Sequence, residues 1–545
     1  MRDGVELSSD VWLPKSPGPH PVILIRTPYV KALGSFNADA AFFARHGYAV
    51  VVQDVRGRGD SGGEFDFFFQ EGKDGYDTVE AIAGQPWSNG RVCMLGVSYM
   101  ATVQWLAARE RPPHLTCMAS VSPAARFMNE IPAVGGAFGA QWGLTWLNAT
   151  SDHGLQARNT ADVDWARVLS HRPLRTADEA MGRKMRLYRE FLENDTLNAY
   201  WQRLYLQPGD YAQIKVPILQ ITGLFDADQS GALLNWTKVE ANAPQQAGER
   251  FLVIGPWTHD QSLAGGADPV GELTFPQDTA SDNRALALRF FDHYLKQDGK
   301  PFEQPRVRVF MTGANEWRTF DRYPQAGTKE AKLFLDSRGA ANTLSGDGVL
   351  TRAAARRAGK DHYVFNPRDP IVQPTGASTS DIGQGADRRV IQSRKDVLVY
   401  TGPVLDKPVD VVGSVWLDLY AASDALDTDF TASLTDVGPD GRAVSLGPLP
   451  FGVLRARYRN GLESAELLTP GKPELFKIEL GHVAHRFKAG HRIRLEISSS
   501  AYPVINPNQN TGAKVADDTE WRIARQTVHH GIARPSALRL PVLAP

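Results

Sequence analysis

Cysteine is almost absent from this chain. Cys93 and Cys117 are the only two in 545 residues, which excludes a disulfide framework and a thiolate metal site. Each stands in an apolar run, Val92-Cys93-Met94 and Thr116-Cys117-Met118, and is read as a small buried hydrophobe. An excess of charge of one sign is missing too: 60 Lys and Arg oppose 61 Asp and Glu, for a formal net charge of −1. With no positive field to hold a polyanion or an anionic lipid surface, neither nucleic acid nor a membrane is expected as a partner. Long apolar runs are lacking as well. Pro21–Ile25 and Tyr48–Val52 fall far short of the roughly 18 residues that a bilayer-spanning helix needs, so a soluble protein is expected. Met1-Arg2-Asp3-Gly4-Val5 leads directly into strand-like alternation without a signal-peptide pattern. The compartment stays open between the cytoplasm and a secreted or periplasmic location with the leader removed. Among the histidines, His46, His114, His153, His171, His485, His529 and His530 show no ligand spacing with carboxylates. No metal and no cofactor are expected, and His529-His530 is read as a surface pair.

What is present is globular material, 42% hydrophobic and 22% charged. At roughly 150 residues per domain the length suits about three to four domains. From Val5 to about Ala125, short apolar strands (Val5–Leu13, Val22–Arg26, Tyr48–Gln53, Val92–Leu95, Leu115–Ser120) alternate with helical patterns near 39–46, 72–84 and 99–109. That rhythm predicts a mostly parallel sheet buried on both faces. Between Arg126 and Gln207 clear strands stop and aromatics multiply (Trp142, Trp146, Trp165, Phe191, Tyr200, Trp201), which predicts an inserted helical cap. Strands return at 217–223, 251–255 and 306–311, with a long helix over 283–296. Beyond Pro324 helical patterns vanish. Alternating segments at 332–335, 397–400, 415–421 and 493–498 predict a β jelly roll, with loops over 339–359 and 376–387. The expected architecture is α/β: a catalytic domain over 1–125 and 208–326, a helical cap over 126–207 and a jelly roll over 327–545.

Arg91 to Leu95 runs into Gly96-Val97-Ser98-Tyr99 and then an amphipathic helix, the layout of a nucleophile elbow. The turn forces Ser98 into strained backbone, and crowding around it explains the small residues Gly96 and Ala101. It lifts the hydroxyl out of the sheet and aims helix-start N–H groups at developing negative charge. Met100 stands at the second glycine of the general Gly-x-Ser-x-Gly pattern, so the motif alone also describes an ordinary serine at a turn. A serine hydroxyl needs a base, and the base needs an orienting carboxylate; on this fold the chain order is Ser, acid, His. Asp226 follows the strand Pro217–Gly223, and His259 follows Phe251–Gly255 in Gly255-Pro256-Trp257-Thr258-His259. Residues just beyond parallel strands face the ligand side of such a sheet.

These segments join Met1-Arg2-Asp3-Gly4-Val5, Thr27-Pro28-Tyr29, Asp54-Val55-Arg56-Gly57-Arg58-Gly59-Asp60-Ser61, Gln85-Pro86-Trp87 and Pro507-Asn508-Gln509-Asn510-Thr511-Gly512. Together they resemble the CocE/NonD α/β-hydrolases, the group of cocaine esterase, α-amino-acid ester hydrolases, glutaryl acylases and X-Pro dipeptidyl-peptidases. The resemblance spans nearly the whole chain. It implies an α/β-hydrolase core, a helical cap and a C-terminal jelly roll, with Ser98 as nucleophile, His259 as base and Asp226 as its orienter. It also implies an oxyanion hole made by the Tyr29 hydroxyl and the backbone N–H of Tyr99, while the Tyr99 side chain packs. Ala101 departs from the glycine usual in the family. The expected activity is hydrolysis of a small-molecule ester, with amides second, through an acyl-enzyme; α-amino-acid ester hydrolase, acylase or X-Pro dipeptidyl-peptidase-like activity is the alternative. A homo-oligomer is left open.

Asp228 occupies a position where amino-ester-hydrolysing relatives carry carboxylates for the substrate ammonium. Those relatives use a cluster, whereas Gln229 is the neighbour here and Ala124-Ala125-Arg126-Phe127 offers no acid. The cluster is therefore read as incomplete and Asp228 as an exposed acid. Phe127, Phe138, Trp142 and Trp146 are read equally as acyl pocket or cap core, and Trp257 is a further pocket candidate. Two other classes compete. Gly57-Arg58-Gly59-Asp60-Ser61-Gly62 fits the Gly-x-Gly-x-x-Gly of a dinucleotide-binding oxidoreductase, yet no helical pattern opens at its third glycine. Jelly rolls also bind sugars, but Trp416 and Tyr458 read better as strand packing.

Overall fold

The computed structural model describes residues 1–544 apart from 152, 155–162, 298, 375–381 and 450. Its N-terminal sheet is built from β1 (Ser9–Trp12), β2 (His20–Thr27), β3 (Ala49–Asp54), β4 (Ser88–Val97), β5 (Leu115–Val121), β6 (Ile218–Phe225), β7 (Arg250–Thr258), β8 (Val307–Met311) and β9 (Glu316–Phe320). The strand order is β1-β3-β2-β4-β5-β6-β7-β8-β9. From β3 to β8 every neighbouring pair is parallel, and the rim strands β1 and β9 pair antiparallel. The principal helices are α1 (Gly34–Arg45), α2 (Glu71–Ala83), α3 (Tyr99–Glu110), α4 (Ala140–Thr150), α5 (Gln229–Asn242) and α6 (Asn283–Phe291). Along β2, Val22 and Leu24 pack with α2 and α3, while Ile23 and Ile25 pack with α1 and α6. Successive side chains thus enter opposite cores, which is why the strand is apolar throughout. The helix read over 283–296 is α6 followed by one wider turn at Asp292–Lys296.

Cys93 and Cys117 are buried as expected, but they are not separate thiols. They stand at one level of the adjacent strands β4 and β5, with Cα atoms 4.7 Å apart, and form a disulfide. Strand register joins two apolar runs that carry no mark of each other in the sequence.

The insertion after β5 holds α4 and the shorter helices Trp165–Ser170, Arg186–Glu193, Ala199–Gln202 and Pro208–Gln213. It also contains a two-residue hairpin, Ala133–Val134 with Ala137–Phe138, that the strand-free reading missed. Gly135 and Gly136 turn it at positive φ. A Cβ on Gly135 would strike the Val453 carbonyl, so the hairpin sits directly against the C-terminal domain.

That domain is a jelly roll. Its longest ladder pairs Val409–Ser423 antiparallel with Glu474–Phe487, with a bulge at Val415/Trp416. The bulge breaks the period-two pattern, so only part of the strand showed in the sequence. Val349–Thr351 is a strand within the span read as loop, and Arg389–Gln392 is a short helix. Of the loop read over 376–387, residues 376–381 lie outside the described residues. His530 corrects the surface-pair reading: it is buried, with Nε2 3.0 Å from Ser337 Oγ. Its neighbour His529 points to the opposite side of the strand Ala524–His530. Tyr458 is buried as well. Asn508 donates to both Asp427 and Asp429, the buried carboxylates that pair with Arg457 and Arg455, which gives the Pro507–Gly512 segment a structural role. Among the described residues no helix is long and apolar enough to cross a membrane.

Candidate active site

Ser98 occupies the sharp junction of β4 and α3, with φ 62° and ψ −125°, a region that costs a residue with a side chain about 1–3 kcal/mol. Its N–H donates to Val121 O, and its carbonyl accepts from the N–H groups of Ala101 and Thr102. A Cβ on Gly96 would be driven into Met100, so the glycine is required by space. The Tyr99 N–H opens α3, where a helix has no internal acceptor for it. The Tyr99 side chain turns inward instead, donating to Phe67 O and stacking on Phe68.

Asp226 follows β6 and is fully buried. Its carboxylate accepts from His259 Nδ1 at 2.8 Å, the Asp228 N–H at 2.9 Å and Ser262 Oγ at 3.2 Å. Burial alone would raise this carboxyl, but the imidazole charge and the hydrogen bonds from His259 and the Asp228 N–H hold it below the ordinary carboxylate range. His259 follows β7. Burial would lower the imidazole, yet Asp226 and Asp228 outweigh that and raise it, with Asp260 adding to the rise. Among the described residues no hydrogen bond joins Ser98 Oγ to the ring; such bonds are commonly long before substrate binds.

Tyr29 stands just beyond β2. Its phenol oxygen accepts from the Trp146 indole N–H at 3.0 Å. Burial raises the phenol, and the Trp146 indole and Ser98 hydroxyl oppose that rise. Tyr29, Ser98, Tyr99, Asp228, Trp142, Trp146 and His259 all line one cavity of about 500 Å³, which Leu449 and Val504 of the jelly roll help to close. Asp226 lies behind His259. Phe127, Phe138 and Trp257 do not reach this cavity. Phe127 stacks on Trp201, Phe138 meets Tyr188 edge-on, and Trp257 is buried with its indole donating to Gly266 O. Their apolar character serves packing. Trp142 and Trp146 form a stacked pair on the wall, ring centroids 5.5 Å apart.

Asp228 is not an exposed acid, being only 7% exposed. The residue that sequence reasoning missed is Glu130, on the same wall. Ala125 N, Arg126 N, Gly231 N and Ser230 Oγ all donate to it. Burial raises both carboxyls; Asp226 adds to the rise at Asp228, and Asp228 adds to that at Glu130. The available signal was that Glu130 is the sole charge between Phe127 and Leu147. Gln229 is committed elsewhere: its amide accepts from His482 N–H and donates to His482 O, tying the loop after β6 to the jelly roll. In the Gly57–Gly62 loop, α2 begins only at Glu71, so no helix opens at the third glycine. Among the described residues no group of three or more His, Cys, Asp or Glu could hold a metal ion.

Residues 3–261 match the model of the X-Pro dipeptidyl-peptidase (S15) family, and residues 302–539 match the X-Pro dipeptidyl-peptidase C-terminal non-catalytic domain. Cocaine esterase of Rhodococcus sp. (strain MB1 Bresler) is 33% identical over 570 residues, covering 100% of this chain and 97% of that protein. Among solved structures, a selenomethionine-labelled α-amino acid ester hydrolase superposes with a TM-score of 0.89 at 26% identity, covering 99% of this chain and 95% of that one. An aminopeptidase from the marine sediment archaeon Thaumarchaeota archaeon superposes with a TM-score of 0.87, also at 26% identity, covering 100% and 95%. Similarity of this extent, carried through both the sheet and the jelly roll, makes the chain a member of the CocE/NonD family of α/β-hydrolases and a serine hydrolase.

Proposed function

We propose that this enzyme hydrolyses small carboxylic esters through an acyl-enzyme on Ser98. Ser98 Oγ attacks the acyl carbon while His259 Nε2 takes its proton. Asp226 holds the Nδ1–H and stabilises the imidazolium. The tetrahedral oxygen accepts from the Tyr29 O–H and the Tyr99 N–H, and His259 then protonates the leaving alkoxide. Water, deprotonated by the same imidazole, releases the acid. The observation that carries this reading is the 2.8 Å bond from His259 to buried Asp226, on a cavity shared with a serine in left-handed backbone. Covalent labelling by a fluorophosphonate tests it: the wild type labels and Ser98→Ala does not. Full labelling of Ser98→Ala would refute the assignment.

A second reading concerns the acyl group. Among the described residues the Asp228 carboxylate accepts no hydrogen bond; the nearest cationic partner is His259 Nδ1 at 3.8 Å. A buried acid without a donor, with Glu130 beside it, suits the α-ammonium of an amino-acyl ester. This preference reverses the expectation from sequence, where the cluster was read as incomplete. Higher kcat/KM for a glycyl or phenylglycyl ester than for its des-amino analogue supports it, and equal values refute it.

A further inference from the structure

We infer that Trp146 is a positioning residue for the Tyr29 hydroxyl, so that the cap domain sets the oxyanion hole. The inference rests on the oxyanion role proposed above for Tyr29. A phenol has one proton to donate and an oxygen that can accept. The Trp146 indole can only donate, and its N–H reaches the Tyr29 oxygen at 3.0 Å. That contact occupies an acceptor site and disfavours any rotamer that turns the phenol proton toward the indole. The proton is left to face Ser98 and the cavity, where the acyl oxygen would lie. Donation into a hydroxyl oxygen also makes its O–H a stronger donor.

The two residues come from different parts of the fold, and a third holds them together. Tyr29 is on the loop after β2, and Trp146 is on α4 of the insertion. Arg58, only 1% exposed, donates to Pro28 O at 2.6 Å and to Ala149 O at 2.9 Å. It braces the backbone beside Tyr29 against the helix that carries Trp146. This gives the Asp54–Ser61 segment a task that neither a phosphate loop nor a catalytic role supplies. The indole is itself wedged between rings: Tyr99 and Trp142 stack on it, and Phe67 meets it edge-on.

The test is a double-mutant cycle on a simple acyl ester with Trp146→Phe, Tyr29→Phe and the double variant. Trp146→Phe is expected to lower kcat about tenfold, the loss of one hydrogen bond, with KM within about twofold. In the Tyr29→Phe background the same change should leave kcat within about twofold. An equal loss in both backgrounds would mean that the indole packs or touches substrate, and would overturn the inference while leaving the oxyanion role of Tyr29 standing. A raised KM with unchanged kcat would overturn it likewise. If Tyr29→Phe alone left kcat intact, the oxyanion reading and this inference would fall together. Benzothienylalanine at position 146, which keeps the ring shape and lacks the N–H, repeats the measurement without a packing defect. It should reproduce the Trp146→Phe loss; wild-type kcat with it would overturn the inference.

Discussion

Two regions of this molecule hold a serine, a histidine and aspartates in hydrogen-bonding reach, and by distance alone the jelly roll has the more complete set. There, Ser337 Oγ lies 3.0 Å from His530 Nε2, and Asp336 lies 3.4 Å from His530 Nδ1. At the ends of the parallel sheet, His259 is bonded to Asp226 and Ser98 stands unbonded to the ring. The polarity of the bonds separates them. The Ser337 hydroxyl donates to Asp361 at 2.7 Å, so toward His530 it can only accept. An imidazole that donates to a serine is no base for it. Ser337 is also only 5% exposed, outside the left-handed backbone region and away from the cavity that receives Ser98. A nucleophile needs a free proton path, an open face and a turn that presents it. A serine with every bond satisfied contributes stability.

The largest effect that sharpens this contrast is Ser98→Ala, expected to lower kcat about 10⁶-fold with unchanged denaturant unfolding. Tyr29→Phe comes next, with an expected kcat loss of about 10² to 10³-fold, measured by steady-state kinetics on the same ester. Asp228→Asn should move the rising limb of the kcat/KM profile to lower pH. The sign follows from the charge: the base must be neutral to act, the surrounding acids raise His259 above its ordinary 6.5 and so place the limb above that value, and removal of one acid destabilises the imidazolium. A limb that moves upward or stays would refute this electrostatic account. The same substitution should abolish any preference for amino-acyl esters. Smallest for catalysis is Ser337→Ala, expected to keep kcat within about twofold while costing about 1–3 kcal/mol of stability through the buried hydrogen bonds that Ser337 makes to Asp361, His530 and the Gly339 N–H. Loss of activity without loss of stability there would break the comparison.

Local pattern carried much of this protein into view. The β4–α3 turn, the residues beyond β6 and β7 and the longer strands are each specified by neighbours within about ten residues. What escaped reading depended on distant partners. Glu130 is held partly by Gly231 N–H, from the far side of the insertion. The Cys93–Cys117 bond depends on the register of two strands, and the core positions of Phe127, Phe138 and Trp257 depend on which rings meet them. Aromatic residues suit a pocket and a core equally, because both remove apolar surface from water.

Composition, strand–helix rhythm and a few short motifs determined the architecture and the candidate Ser98, Asp226 and His259, since backbone strain and strand ends are local properties of the chain. The tertiary structure alone decided that Asp228 and Glu130 share one wall, that Gln229 binds the jelly roll, and that Trp146 of the cap touches the hydroxyl of Tyr29. A hydrogen bond is made over about 3 Å whatever the sequence separation, and folding is what brings that distance about.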